Sequence, residues 1–290
     1  MKKNQSSITA AGISFLRAYE MRKPPEQRLF SDPYARSFIG LPLFYLMKFF
    51  VDTGYAEWRG PGIMGFLAAR VRYIDDMLLT CMKDGLEQLV ILGAGFDARA
   101  YRFGELRGRV KVFEVDHPAT QQEKLAKLAS ALGGQLGHVV YVPLDFTVET
   151  LAKLFECGYE RDRKTLFIWE GVTQYLSPDA VDATLAFVVQ NAAPGSTIVF
   201  DYMYTSLLDG TVPRGEVSNI QRYRGITGEG FGFGIAKGKV AEFLEQRGFF
   251  QVKDTTAEDL KRLYFHEPGQ QRTVADGYAI ASGVVRGQDK

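Results

Sequence analysis

The sequence predicts an α/β protein whose core is a doubly wound, mostly parallel sheet of seven strands, preceded by a helical region. Three observations predict this class. Apolar runs rich in β-branched and aromatic residues alternate with helical stretches from residue 88 onward. The turn after the first run, GAGFDA, is rich in glycine. Acidic residues follow several later runs, at the edge of a parallel sheet where ligands bind.

Residues 1–85 are predicted to form a helical lid region, because their apolar residues recur at helical spacing rather than in alternation. Prolines break this region into short helices, of which 66–82 is the longest. The apolar stretch LPLFYLMKFFV at 41–51 is shorter than the ~20 residues that span a bilayer, and Lys48 interrupts it. We interpret this stretch as a buried helix.

Residues 86–290 are predicted to form the sheet domain, in which near-continuous apolar strands are covered by helices on both faces. Helices are expected at 119–132 and at 177–193, where Ser177 can cap the first turn and Pro178 suits it. The five predicted parallel strands are 88–92, 110–115, 138–143, 165–169 and 196–201.

Residues 205–235 interrupt this alternation with turns rich in glycine, and we interpret them as an insertion or long loop. Its glycine-rich segment 225–234 has no role that the sequence assigns. A helix followed by two strands closes the chain. This ending predicts an antiparallel strand inserted at the sheet edge.

Composition narrows the function classes. The 290 residues carry a net charge of +1, which provides no general attraction to nucleic acid. Cys81 and Cys157 are far apart, so neither a disulfide framework nor a metal site is indicated, and a reduced, cytoplasmic compartment is expected. The N-terminus is a poor signal peptide. Neither a nucleic-acid nor a membrane partner is therefore expected, and the sequence leaves the oligomeric state open.

The ends of the predicted strands carry the chemistry. The first ends at Gly93, and the next three are followed by Asp116, Asp145 and Glu170. Glycine lets the backbone approach a ligand, and a carboxylate accepts hydrogen bonds from adjacent ribose hydroxyls. The ordered set suits a nucleoside with a positive centre, and S-adenosylmethionine is such a molecule.

A dinucleotide remains open at this point. GAGFDA satisfies the pattern G-x-G-x-x-A, and Asp116 lies near the ~20-residue distance expected of a ribose-binding acid. Against it, the helix after the glycine turn is short, and dinucleotide binding does not require acids after the third and fourth strands. Clustered acids would also repel a pyrophosphate.

Several segments together resemble one family. LVILGAGFDARAYRF, VFEVDHPATQQEKL, VPLDFT and FIWEGVTQYL are similar to the leucine carboxyl methyltransferase-like family, and within it to bacterial S-adenosylmethionine-dependent O-methyltransferases of secondary, polyketide-type metabolism. RLFSDPYA at 28–35 and AARVRYIDD at 68–76 extend the resemblance toward the N-terminus. The resemblance implies a class I methyltransferase, Rossmann-like fold, with S-adenosyl-L-methionine as cofactor and S-adenosyl-L-homocysteine as product.

The resemblance also implies roles for individual residues. Arg70 would pair with the carboxylate tail of the cofactor, Gly93 would contact it through the backbone, and Glu170 would lie near its methionine moiety. Asp116 would hold the ribose, Asp145 and Phe146 the adenine. Tyr175 could face the substrate or pack in the core. Ala98 departs from the family pattern, which often carries threonine there, and no metal ligand is implied.

The expected reaction is methyl transfer from the sulfonium to a carboxylate or hydroxyl oxygen of a small molecule, such as a polyketide-type metabolite. A hydroxyl acceptor needs a general base, for which His138, Glu170 and His266 are candidates without support from the sequence.

Two alternatives remain. One is a protein or RNA-nucleoside carboxyl methyltransferase with a wide, charged mouth lined by Arg214, Arg222, Arg224 and Lys237. The other is an NAD-dependent oxidoreductase or a cofactor-binding protein without catalysis.

Overall fold

The N-terminal part of the chain is helical in the computed structural model, which describes residues 8–132, 137–146, 148–209, 231–267 and 271–287. Short 3-10 turns at 25–27 and 35–38 separate the first helices, as the prolines predict. The longest of the four helices contains the predicted segment 66–82. They are α1 (Ile8–Glu20), α2 (Leu41–Asp52), α3 (Tyr55–Arg59) and α4 (Ile63–Lys83).

The interpretation of residues 41–51 as a buried helix is wrong. The helix α2 forms, but Phe44 is its single buried residue. Phe44 packs against Phe15 of α1, whereas most other apolar side chains of α2 face solvent. The physical reason is that α2 touches the rest of the described chain along one narrow stripe, which its sequence pattern does not reveal.

A seven-stranded sheet forms the centre of the protein, in the order β3-β2-β1-β4-β5-β7-β6. Strands β1 to β5 all run parallel to their neighbours in the group. Strand β7 lies between β5 and β6 and is antiparallel to both. The predicted fold class is confirmed, and the antiparallel strand lies one position in from the edge. The strands are β1 (Gln88–Leu92), β2 (Lys111–Asp116), β3 (Val139–Pro143), β4 (Thr165–Trp169), β5 (Thr197–Met203), β6 (Phe249–Thr255) and β7 (Tyr278–Val285).

Helices cover both faces of this sheet. Ser177 accepts a hydrogen bond from the Ala180 N–H at the start of its helix, and Pro178 occupies the first turn, as predicted. Two core clusters lie on opposite faces, because alternate residues of each strand point in opposite directions. The helices are α5 (Arg99–Arg102), α6 (Pro118–Leu132), α7 (Lys153–Glu156), α8 (Pro178–Asn191), α9 (Thr205–Asp209), α10 (Val240–Glu245) and α11 (Ala257–Tyr264).

The helix α11 was not predicted, because the end of the chain was interpreted as a helix followed directly by two strands. A signal was present: the Thr256 and Asp259 side chains form a capping box at the start of α11. Of the predicted insertion 205–235, residues 210–230 lie outside the described residues, and so does most of the segment 225–234. In the ranges that the structure describes, no helix has the length and apolar character needed to cross a membrane.

Candidate functional site

The carboxyl ends of the parallel strands bring the predicted residues to one edge of the sheet. The strand order places Asp145, Asp116, Gly93 and Glu170 in sequence along this edge, after β3, β2, β1 and β4. Asp116 pairs with Pro143 in the β2–β3 register, so the tips of these two strands are level. The edge also contains Asp201 of β5, which the sequence did not single out.

The glycine turn after β1 has two glycines in the left-handed region, Gly93 at φ 63° and Gly95 at φ 47°. A Cβ on Gly93 would lie 2.4 Å from the Val172 side chain, so this position requires glycine for packing as well as for its backbone angle. The Gly95 N–H donates to the Asp116 carboxylate. The turn and the tip of β2 therefore hold each other in place.

Asp116 is mostly buried but still partly exposed to solvent. Besides the bond from Gly95, its carboxylate accepts a hydrogen bond from the His117 N–H at 2.6 Å. Burial raises the pKa of Asp116 above its usual value, although both N–H groups oppose this effect. The carboxylate is thus held by backbone groups alone and retains acceptor capacity for a ligand.

Beneath Asp116, on the same face of β2, lies the buried pair of Glu114 and Lys124. Lys124 Nζ is 2.6 Å from Glu114 Oε2, while Glu114 Oε1 has no hydrogen-bond partner among the described residues. Burial raises the pKa of the Glu114 carboxyl to about 7. The ammonium of Lys124 favours the ionised form of Asp116 above it.

Asp145 and Phe146 follow β3 and lie beside Asp116. The side chains of Asp145 and His117 are 37% and 35% exposed, and His117 Nε2 is 4.0 Å from the Asp145 carboxylate. Phe146 is half-buried against the core on one face of the sheet. We call Asp116, Asp145 and Phe146 the open half of the site, because all three residues are partly exposed to solvent.

Arg70 lies on α4, and its guanidinium reaches the other half of the edge. Its Nε is 3.0 Å from Glu170 Oε1, and its Nη1 donates to Asp201. The side chains of Arg70 and Asp201 are only 3% and 4% exposed. The hydrogen bonds of Arg70 to described residues use Nε and Nη1, which leaves Nη2 to donate to a carboxylate.

Arg99 of α5 connects three carboxylates. Its Nε is 2.7 Å from Asp75 of α4, its Nη1 is 2.6 Å from Glu170, and the same nitrogen pairs with Asp97. Burial disfavours the charged form of Glu170, but Arg99 and Arg70 outweigh it and hold the pKa of Glu170 below its usual range. We call Arg70, Arg99, Glu170 and Asp201 the ionic half of the site.

Asp75, Asp97, Arg99 and Asp201 were not predicted as site residues. The sequence did contain indications of three of these residues. Asp97 and Arg99 stand directly after the glycine turn, and Asp201 lies near the end of a predicted strand, like the other acids. The pairing itself could not be inferred, because Asp75 and Asp201 lie on elements far apart in the chain.

Tyr175 lies in a 3-10 turn, Thr173–Tyr175, after β4. Its ring is half-buried and lies 5.4 Å from the ring of Phe231. Thr173 Oγ1 donates to the backbone oxygen of Asp201, which ties this turn to the ionic half. A substrate role for Tyr175 stays a prediction.

The N-terminal helices contact the glycine turn from outside. Arg17 Nη2 of α1 donates to the backbone oxygen of Phe96 at 2.6 Å. The ring of Phe38, in the turn before α2, stacks on the Phe96 ring with centroids 5.0 Å apart. These contacts place α1 and the segment leading to α2 over the loop that follows β1.

The donor set fits S-adenosylmethionine. The partly exposed Asp116 carboxylate suits vicinal hydroxyls, Arg70 Nη2 suits a carboxylate, and the surrounding acids suit a sulfonium. A pyrophosphate in the open half would meet the carboxylates of Asp116 and Asp145, whereas Arg70 and Arg99 lie in the ionic half beside Glu170 and Asp201.

Comparisons with known proteins agree with this chemistry. A family profile described as leucine carboxyl methyltransferase matches residues 10–189. A Bacillus subtilis protein assigned as an S-adenosyl-L-methionine-dependent methyltransferase, YktD, is 30% identical over 285 residues, covering 91% of this chain and 93% of its own. A Streptomyces coelicolor protein with the same assignment is 31% identical over 189 residues, covering 65% and 66%.

Solved structures show the same fold at low identity. A methyltransferase from Thermobifida fusca superposes with a TM-score of 0.60 at 15% identity, covering 99% of this chain and 97% of its own. The CurJ carbon methyltransferase superposes with a TM-score of 0.51 at 14% identity, covering 96% and 67%. These likenesses concern the fold alone.

Proposed function

The chain belongs to the leucine carboxyl methyltransferase family and is an S-adenosylmethionine-dependent methyltransferase, and from this premise we propose that it methylates an oxygen of a small molecule, with a carboxylate as the favoured acceptor. When bound, the cofactor supplies a methyl group activated by its sulfonium. What the chain contributes is binding, alignment and exclusion of water, and positioning alone is worth ~7–11 kcal/mol.

The proposed roles follow the two halves of the site. In the open half, Asp116 accepts from the ribose hydroxyls, while Asp145 and Phe146 receive the adenine. In the ionic half, Arg70 donates to the carboxylate tail through Nη2, and the Gly93 backbone lies between the halves. Glu170 is oriented by Arg70 and Arg99 on the side of the sulfonium.

The observation that favours a carboxylate acceptor is the state of the candidate bases. Glu170 is held ionised by two arginines, which makes it a weak proton acceptor. His138 precedes β3, at the opposite end of the sheet, and lies 2.7 Å from the Ala100 oxygen. His266 follows α11 and is mostly exposed beside Glu267. A carboxylate is ionised at pH 7 and needs no base.

A second candidate acceptor is a carboxylate on a protein or an RNA nucleoside. The exposed Lys237 supports a charged mouth, whereas Arg214, Arg222 and Arg224 lie outside the described residues. The NAD-dependent alternative loses its support, because the relatives named above are assigned as methyltransferases.

Two measurements test the proposal. Calorimetry should show micromolar binding of S-adenosylmethionine and much weaker binding of NAD. Methyl-labelled cofactor should then be incubated with panels of small carboxylic acids, phenols, peptides and nucleosides. Label on a methyl ester is released as methanol by mild alkali, whereas a methyl ether keeps it. Alkali-stable label on nitrogen or carbon, or preferential NAD binding, would defeat the proposal.

A further inference from the structure

Helices α2 and α3 carry an apolar face that no described residue covers. Eight of the eleven exposed large hydrophobic side chains of the described chain lie between residues 41 and 58. We call these eight side chains the apolar face. Five of them are aromatic: Tyr45, Phe49, Phe50, Tyr55 and Trp58. Single apolar side chains scattered over a protein surface are normal, whereas these eight are concentrated in one segment of the chain.

Four of these aromatic rings form one continuous row. The centroids of Phe49 and Phe50 are 5.9 Å apart, those of Phe50 and Tyr55 are 5.2 Å apart, and those of Tyr55 and Trp58 are 5.7 Å apart. Trp58 is 72% exposed and Phe49 is 61% exposed. The surface thus runs across both helices rather than along α2 alone.

The apolar face lies at the upper end of what a monomer usually exposes. An aromatic side chain presents ~150–250 Å² when fully accessible, so the five rings at their fractional exposures present on the order of 500 Å². Three leucines, including Leu46, extend the face further. The largest apolar patch of a typical monomer is ~300–600 Å², and a standard protein interface takes about 800 Å² from each partner.

The charges around this face discriminate between occupants. Lys48 is paired with Asp52 on α2. On α3, Arg59 lies over the Trp58 ring and Glu57 accepts from the Gly62 N–H. Within α2 and α3 the positive and negative side chains are equal in number, so these two helices themselves offer no net attraction to an anionic lipid surface. A rim with both signs is instead self-complementary, as a twofold contact requires.

We propose that the apolar face is the contact surface between two copies of this chain related by a twofold axis. Pairing would bury the row of aromatic rings of one copy against the same row of the other. The charged side chains of Lys48, Asp52, Glu57 and Arg59 would lie at the rim of the contact. A helix that is apolar around most of its circumference is stable only when a second body covers it, and α2 is such a helix. This inference does not rest on the proposed function.

Pairing would also brace the site. The segment before α2 contains Phe38, which stacks on Phe96 in the loop after β1. A second copy seated on α2 would restrict the movement of this segment, and therefore of the loop that carries Gly93 and Gly95.

The oligomeric state of the full chain tests the proposal. Light scattering coupled to size exclusion, at micromolar concentration, should give twice the 32.4 kDa of one chain. Leu46→Glu, on the apolar face, should give 32.4 kDa. The matched control is Leu263→Glu on α11, because Leu263 is 48% exposed and Leu46 is 52% exposed. The control should remain a dimer.

A second variant guards against misfolding. Phe49→Lys should also yield the monomer, with an unchanged circular dichroism spectrum. The proposal is overturned by a monomeric wild type, by a dimer that survives both substitutions, or by a control that dissociates equally. A monomeric wild type that sediments with vesicles of phosphatidylcholine and phosphatidylglycerol would assign the face to lipid instead.

Discussion

The two halves of the candidate site hold their carboxylates in different ways. In the open half, Asp116 is held by the N–H groups of Gly95 and His117, which are its neighbours at the tips of β1 and β2. In the ionic half, Glu170 and Asp201 are held by the guanidiniums of Arg70 and Arg99, which come from other elements. The first half is accessible to solvent, and the second is almost closed to it.

Because of this difference, we expect substitutions in one half to change mainly ligand affinity and substitutions in the other to change mainly stability. Removing a group held by local backbone bonds leaves no buried ion behind, so the open half should be sensitive in ligand affinity. Removing one member of a buried charge network leaves its partners uncompensated, so the ionic half should be sensitive in the free energy of unfolding. Four substitutions or conditions test this division, beginning with the largest effect.

Arg99→Met should lower the free energy of unfolding by about 3–5 kcal/mol, because Asp75, Asp97 and Glu170 would lose their shared cation. Urea denaturation measures this loss. The matched control is Arg163→Met, since Arg163 also contacts two carboxylates, on Glu87 and Glu160, but its side chain is half exposed. The control should be nearly as stable as the wild type, and equal losses would mean that burial does not separate the two networks.

Asp116→Ala should weaken binding of S-adenosylhomocysteine by about 10- to 100-fold, because hydrogen bonds to a charged acceptor are worth ~1.5–3 kcal/mol. The fold should survive with a loss of about 1 kcal/mol, since only two backbone N–H groups lose their acceptor. Calorimetry and urea denaturation measure the pair of values. Asp162→Ala, an exposed aspartate before β4, is the control. Unchanged affinity in the Asp116 variant would contradict the ribose role.

Asp201→Asn should affect both quantities. The asparagine oxygen can still accept from the Gly171 N–H, but the charge opposite Arg70 is lost. We expect affinity for the cofactor to fall about tenfold, which corresponds to ~1.4 kcal/mol, together with a measurable loss of stability. Affinity that falls without any change in the unfolding midpoint would place Asp201 with the open half.

Acidification should act on the open half first. Burial raises the pKa of Asp116, whereas the arginines lower that of Glu170. As the pH falls, Asp116 therefore takes up its proton before Glu170 and stops accepting from two hydroxyls, so affinity should decline while the protein remains folded. Calorimetric titrations at successive pH values measure this decline. Asp116→Asn should bind more weakly but without the acid dependence, and an identical pH profile in that variant would identify another titrating group.

The strands were predictable because each is a short apolar run with turn-forming residues at both ends. The predictions for β1 and β4 match the structure at both ends, at 88–92 and 165–169. The exposure of α2 was not predictable, since the same apolar pattern occurs in a helix buried in the core and in a helix whose apolar side chains contact another molecule. The helix α11 was missed although its capping box is visible in the sequence.

What the sequence by itself determined is the row of acids beside the glycine turn. In a parallel sheet the strand ends meet at one edge, so residues that follow strands become neighbours without further information. Only the tertiary structure decided which charges pair. Arg70 and Asp201 are separated by 131 residues, and Arg70 and Glu170 by 100. The Coulomb attraction of an ion pair depends on the distance between the two charges and on their burial, and neither can be read from the amino-acid sequence.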